Sequence, residues 1–162
     1  MGNLTDANNA RLPVYNTYAI VNRSLTVANQ FVISGGAATV NSIADNIVHL
    51  RAQYGVDDGV GGGTANDGRV DRYINTTPTW STVIAVRIAV VARSALPEKP
   101  AAGAAAACDT TTDGTEAGTP PDLRPTWSGG TFDLSADANW RCYRYRVFET
   151  TVPLRNWIWR SS

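Results

Sequence analysis

Residues 80–93, WSTVIAVRIAVVAR, contain the longest nearly apolar run of the chain, interrupted only by Arg87. Apolar or β-branched residues fill the even positions, and the odd positions are apolar except at Ser81, Arg87 and Arg93. The run is too short to span a bilayer, which takes about 20 residues. A strand with two apolar faces is typical of the centre of a sheet, so we predict a central β-strand with something packed on both sides.

Upstream of this strand the sequence predicts a β-hairpin and then a helix. Residues 12–33 are rich in β-branched and aromatic side chains around the turn residues 22–24, which favours the hairpin. A helix is predicted over residues 43–54, starting at a capping-box-like Ser42 and ending at Gly55. Its apolar residues at helical spacing are Ile43, Ile47, Leu50 and Tyr54.

Downstream of the central strand, residues 94–130 are rich in Pro, Ala, Thr and Gly and predict a long loop. Loops of this length inside a compact domain are uncommon and tend to be functional or disordered. Strand-like alternation returns over residues 140–151, with tyrosines on one side and arginines on the other. Pro153 is expected to end that strand or to keep it at an edge, because proline cannot donate to a ladder.

The composition bounds the class of protein. With 162 residues the chain suits a single globular domain over residues 1–162. Its 14 basic and 14 acidic side chains cancel, which argues against DNA or RNA as a main partner. Thirteen of the 14 basic residues are arginines, which favours fixed, paired contacts over solvated charges.

The two cysteines, Cys108 and Cys142, have neither CxxC spacing nor a nearby histidine, so a tetrahedral metal site is not expected. A disulfide is favoured over two separate buried thiols, and it would tether the 94–130 loop. Such a bridge implies an oxidising compartment, yet the sequence after Met1 does not have the pattern of an export signal. We therefore expect the chain to be a fragment of a longer, exported protein.

One segment has residues suited to a metal. Calcium prefers six to eight oxygen ligands, which short acidic and amide side chains on a glycine-bent loop can supply. The glycine-rich loop over residues 57–71 contains such side chains, but its two halves are separated by an insertion and no glutamate closes the site. A calcium site and a plain Asp/Gly turn both stay open as interpretations. The candidate calcium ligands are Asp57, Asp58, Asn66, Asp67 and Asp71.

No catalytic constellation is visible in the sequence. The single histidine, His49, falls on the polar face of the predicted helix, one turn from Asp45, and is interpreted as a solvated ion pair. The glycines at positions 59–63 follow the predicted helix instead of preceding it, which is the wrong order for a phosphate-binding loop. We predict a protein that is not an enzyme and that needs no cofactor, apart from the candidate calcium.

Three stretches together resemble a known family. They are residues 43–57, IADNIVHLRAQYGVD, residues 80–94 around IAVRIAVVARS, and residues 143–159, YRYRVFETTVPLRNWIW. In this order they resemble the C-terminal half of PilW-like type IV pilus minor pilins. The resemblance extends from about residue 12 to the end of the chain.

This resemblance implies an α+β, pilin-like fold, in which an antiparallel sheet with one short helix packs on a long N-terminal helix that this chain lacks. That helix would supply the only contact with a membrane. The implied function is a structural minor pilin in a complex that primes type IV pilus assembly and caps the tip. Its partners would be other minor pilins and the major pilin. The implied location is the periplasmic face of the inner membrane before assembly and the extracellular tip afterwards.

Two other functions are open at this stage. A pilus-tip adhesin would bind a surface glycan or protein through the disulfide-tethered loop over residues 94–130. A secreted hydrolase would depend on the only histidine, so His49→Ala would abolish turnover of its substrate. We expect this substitution to have no such effect.

Overall fold

The computed structural model describes residues 15–34, 37–100, 108–115 and 121–154. The chain divides into two compact units, Met1–Val48 and His49–Ser162. The described residues form nine strands and two short 3-10 turns, the turns at Trp80–Thr82 and Trp140–Cys142. The strands are β1 (Asn16–Val21), β2 (Ser24–Ser34), β3 (Ala37–Asp45), β4 (Ile47–Val56), β5 (Arg72–Ile74), β6 (Val83–Arg93), β7 (Thr126–Trp127), β8 (Gly130–Thr131) and β9 (Tyr145–Pro153).

The first unit contains a three-stranded antiparallel sheet in the order β1-β2-β3. Strands β1 and β2 form the predicted hairpin, which is confirmed from residue 15 onwards; residues 12–14 lie outside the described part. Asn22 and Arg23 occupy the turn with φ of 49° and 63°. Positive φ at both central residues is the backbone of a type I′ turn, whose twist matches that of the two strands.

The predicted helix over residues 43–54 is wrong. Residues 43–45 end β3, Asn46 takes a left-handed φ of 59°, and β4 begins at Ile47. Gly55 lies inside β4, where an added Cβ would stand 3.1 Å from the Cβ of Ala85. The glycine is therefore needed for close strand packing and does not end a helix. In a short segment, the spacing of apolar residues does not decide between helix and strand. Here hydrogen bonds to the neighbouring strands decide for the strand.

The second unit contains a four-stranded sheet in the order β5-β4-β6-β9. The predicted central strand is confirmed from Val83 onwards, because β6 has hydrogen-bonded neighbours on both sides, whereas residues 80–82 of the prediction form a 3-10 turn. Strands β6 and β9 are antiparallel, with a regular register from Ala85 opposite Pro153 to Arg93 opposite Tyr145. The antiparallel sheets of the predicted fold class are thus present, whereas no helix of seven or more residues occurs in the described ranges. Nor do these ranges hold a helix with the length and apolar character to cross a membrane.

The core of the second unit lies between one face of β6 and the chain that follows it. Ala89 and Val91 are completely buried, and Phe132 and Leu134, which follow the 94–130 loop, are nearly so. Burying such side chains contributes about 1.5 to 3 kcal/mol each for the larger ones. The segment between β6 and β9 therefore contributes to the core and does not only connect strands.

Candidate functional site

The sheet of the second unit has two different faces. The odd-numbered residues of β6 form the face that packs against the described residues of the segment between β6 and β9, and we call it the loop face. The even-numbered residues form the opposite face, which we call the open face. On β6, the loop-face residues Ala85, Ala89, Val91 and Arg93 are buried and Arg87 is half-buried. On the open face Ile84 is buried at the start of the strand, whereas Val86, Ile88 and Val90 are only half-buried. The two faces differ in cover, although both are apolar.

Arg87 anchors the β7–β8 hairpin to the loop face. Its guanidinium carbon lies 3.9 Å from the ring centre of Tyr73 and 5.4 Å from that of Trp127. Nη2 donates to Oε1 of Gln53 at 2.5 Å, and Nε is 3.8 Å from Oε1 of Glu149. Cation–π contacts of this kind strengthen when water is excluded. The arginine therefore joins three strands and the hairpin at one point.

Arg93 performs the same role at the other end of β6. Its side chain is only 3% exposed, and Nη1 donates to Oδ2 of Asp137 at 2.8 Å. The guanidinium carbon also lies 3.9 Å from the ring centre of Tyr143. Across the register, the hydroxyl of Tyr145 donates to the carbonyl of Trp140 at 2.9 Å. Burial raises the pKa of Tyr145 to about 12, with a further contribution from Asp137.

The structure contains the disulfide between Cys108 and Cys142. Around it, the main chain of Glu98 donates to the carbonyl of Cys142 at 2.7 Å, and that of Thr111 donates to Arg141 at 3.1 Å. Glu98 also forms an ion pair with Arg144, and this contact lowers the pKa of its carboxyl group. The described parts of the 94–130 loop are thus held against their own sheet. Residues 101–107 and 116–120 lie outside the described residues.

These arginine contacts were not predicted from the sequence, although the signal was present. The alternation in residues 80–93 fails on the odd face at Arg87 and Arg93, after Ser81. Charged side chains on an otherwise buried strand face need a partner, because an unpaired buried charge is costly. The exceptions therefore marked the two points at which the long loop docks, but the sequence did not identify the partners.

The acidic loop over residues 57–71 is closed by its own carboxylates. Asp57 is completely buried, and its two oxygens accept hydrogen bonds from the main-chain nitrogens of Asn66 at 2.5 Å and Gly68 at 2.8 Å. Asp71 Oδ2 accepts from the nitrogen of Gly59 at 2.6 Å, which pins the opposite side of the loop. An aspartate that binds main-chain nitrogens is a standard device for fixing turns.

The other candidate calcium ligands have similar partners. Asp58 forms an ion pair with Arg72 at 2.6 Å, and this hydrogen bond lowers the pKa of the Asp58 carboxyl group. Asp67 accepts a hydrogen bond from the main chain of Arg69 at 2.9 Å. In the described ranges no three His, Cys, Asp or Glu side chains are close enough together to hold a metal ion. This arrangement favours the Asp/Gly turn, and calcium binding stays a prediction.

His49 does not lie on a helix, and no described contact pairs it with Asp45, which accepts a hydrogen bond from Ser24 at 2.7 Å. His49 lies on β4, half-buried, with its ring centre 5.5 Å from that of Phe132. Burial and the neighbouring Arg51 lower its pKa below the ordinary 6.5, although a hydrogen bond to the Asp133 carbonyl opposes the shift. The imidazole is therefore a neutral part of the loop-face packing at pH 7.

The lowered pKa of His49 predicts a loss of stability in mild acid. Below pH 6.5 the imidazole of His49 binds a proton more readily in the unfolded chain than in the folded chain. The free energy of unfolding therefore decreases as the pH is lowered. Urea denaturation at pH 7.5 and at pH of about 5.5 should show the decline, and His49→Gln should reduce it. The lowered carboxyl pKa values, such as that of Asp133, act at lower pH. If the free energy of unfolding of His49→Gln decreased with acid as much as that of the unmodified chain, His49 would not be the cause of the decrease.

The open face carries exposed apolar side chains from several strands. Phe148 and Val152 of β9 are 55% and 43% exposed, and they lie opposite Val90 and Val86 of β6 in the register. At the other side of the sheet, Tyr54 contacts the exposed Trp80 with ring centres 5.4 Å apart. Large exposed apolar surfaces on a folded unit mark interaction sites.

Comparison with known proteins identifies the family of this chain. The family model for type IV pilus-assembly protein W, PilW, matches residues 8–156. Neither a curated protein nor a solved structure matches the chain significantly. The match confirms the resemblance inferred from the three sequence stretches, and it includes both arginine anchors, the disulfide and the open face. This chain belongs to the PilW family of type IV pilus-assembly proteins.

Proposed function

We propose that this chain is a non-catalytic minor pilin, which joins other minor pilins and the major pilin in a complex that primes pilus assembly and caps the pilus tip. Membership of the family supports a role in type IV pilus assembly. The finer role is our inference from the surface of the second unit. We further propose that the chain acts at the periplasmic face of the inner membrane and then at the extracellular tip.

The open face supports this proposal. From Val86 to Val90 its β6 side chains are half-buried valines and an isoleucine, and β9 adds exposed Phe148 and Val152. An apolar face of this kind gains stability when a second apolar element removes it from water, at roughly 25 cal/mol per Å² buried. We propose that the occupant is the helical stem of a pilin, which would make the β-sheet the outer layer of an α+β arrangement.

A charge placed on the open face tests the proposal. Ala52 is exposed on β4, and it lies on the side opposite Gln53, which bonds Arg87 on the loop face. The substitution Ala52→Glu should therefore leave the core intact. We expect it to weaken capture of the chain by purified minor pilins and major pilin at least tenfold, measured by surface plasmon resonance.

The matched control is Thr131→Glu, which adds the same charge at an exposed position of β8. It should bind the pilins as tightly as the unmodified chain. Equal binding by Ala52→Glu and Thr131→Glu would contradict the use of the open face. Failure of the unmodified chain to bind any pilin would overturn the assembly role itself.

The alternative of a tip adhesin stays a prediction. In the described ranges the 94–130 loop contacts its own unit: the ring centre of Trp127 lies 5.4 Å from the guanidinium carbon of Arg87, and Asp113 forms an ion pair with Arg141 at 3.4 Å. These contacts account for the packing of the described part of the loop on its own sheet.

A further inference from the structure

The outer edge of β9 is free within the part of the chain that the structure describes. Strand β9 ends the sheet order, with β6 as its single neighbour. Two main-chain bonds fix which residues face β6. They run from Leu154 N to Ile84 O and from Ser94 N to Arg144 O, both 2.8 Å long. Because the register between these bonds is regular, the even-numbered residues of β9 bond to β6.

The odd-numbered residues of β9 therefore direct their main-chain N–H and C=O groups away from the sheet. No bond of these groups is present among the described residues. Unpaired edges of this kind are templates for a further strand, and folded proteins usually shield them. The residues with free donors and acceptors are Val147, Glu149 and Thr151.

The side chains of β9 are complementary to themselves. Phe148, Thr150 and Val152 follow one another on the open face, and all three are exposed. If β9 pairs antiparallel with β9 of a second copy around Thr150, each Phe148 lies opposite a Val152 and the two threonines face each other. Pairs of an aromatic and a β-branched side chain, and pairs of two threonines, are favourable across neighbouring strands.

We propose that this chain forms a homodimer through β9, with a two-fold axis perpendicular to the sheet at Thr150. Such an axis keeps each open face on the same side, so the two sheets join into one. In this register Glu149 and Thr151 of opposite copies exchange main-chain bonds through their outward groups. The dimer goes beyond the proposed role in pilus assembly, and neither depends on the other.

Charge and side-chain pairing select this register over its neighbours. An axis at Glu149 would set two carboxylates directly opposite each other, which is destabilising. An axis at Thr151 would set Phe148 opposite Leu154 and Thr150 opposite Val152, so both favourable pairs named above would be lost. With the axis at Thr150, Glu149 keeps its contacts within its own unit, where its carboxylate accepts a hydrogen bond from Ser128 N at 3.1 Å.

Sedimentation analysis of the full chain tests the dimer. With rising concentration, up to about 100 μM, the mass should move from 17.3 kDa towards twice that value. Thr151→Pro removes an outward N–H without touching the bonds to β6, so we expect it to weaken dimerisation at least tenfold. Thr151→Ala, which keeps the N–H, should dimerise like the unmodified chain. A monomer at every concentration would overturn the proposal. This holds even if the edge of β9 pairs with a strand of a different pilus subunit.

The register has its own test, which does not depend on proline being tolerated. Phe148→Glu and Val152→Lys change exposed positions, so both variants should fold. Each alone should weaken the dimer at least tenfold. Combined in one chain they should restore it, because each new acid would face a new base in the second copy. If the combined variant dimerises no better than the single variants, the register around Thr150 is wrong.

Discussion

Reduction of the disulfide between Cys108 and Cys142 is expected to lower the free energy of unfolding by about 4 kcal/mol. The bridge closes a segment of 34 residues, and opening it restores the conformational freedom of that segment in the unfolded chain. Domains of this size are stable by only about 5 to 15 kcal/mol, so the loss is a large share of the total. Urea denaturation with and without a reductant measures it.

The matched control is the double variant Cys108→Ser with Cys142→Ser, which should have the stability of the reduced chain and ignore the reductant. The main-chain bonds near the bridge, such as Glu98 N to Cys142 O, do not replace the covalent tether, because they are lost on unfolding. A decrease of less than about 1 kcal/mol would mean that the unfolded chain is already restricted, against the chain-entropy account.

The second large effect is expected at the buried ion pair. Asp137→Asn should lower the free energy of unfolding by about 2 to 3 kcal/mol, because it leaves the buried guanidinium of Arg93 without its carboxylate. Broken buried pairs often cost more, but the side chain of Asp137 is 40% exposed, so water compensates part of the loss. The side-chain amide of the variant keeps an oxygen that can accept the hydrogen bond from Asn139 N, so that hydrogen bond is retained.

A double-mutant cycle isolates this interaction. Arg93→Met removes the charge and keeps most of the apolar stem, so Asp137→Asn should cost less than about 0.5 kcal/mol in that background. The coupling energy is obtained from urea denaturation of the four chains. Equal costs of Asp137→Asn with and without Arg93 would show that the ion pair does not hold the loop to β6.

Several features of this fold were predictable because they depend on local sequence. The two apolar faces of residues 80–93 predicted a central strand, and the turn residues 22–24 predicted a hairpin. The absence of a metal motif around Cys108 and Cys142 favoured a disulfide. In each case neighbouring residues carry the signal: side-chain alternation, turn chemistry or ligand spacing.

The candidate site was less predictable, because its contacts join residues far apart in the chain. Arg87 and Arg93 were visible as exceptions in an apolar pattern, but Trp127, Asp137 and Tyr143 become their partners only after the loop folds back on the sheet. The acidic loop was predicted by composition, whereas the hydrogen bonds that its carboxylates accept depend on backbone conformation.

By itself the sequence determined the central strand, the hairpin and the family, since each is written in consecutive residues. Only the tertiary structure decided that residues 47–56 are a strand, because their apolar spacing suits a helix equally well and bonds to neighbouring strands settle the choice. It likewise decided which face of β6 the loop covers and which stays open. Packing of distant segments makes that choice, and no local pattern of residues contains it.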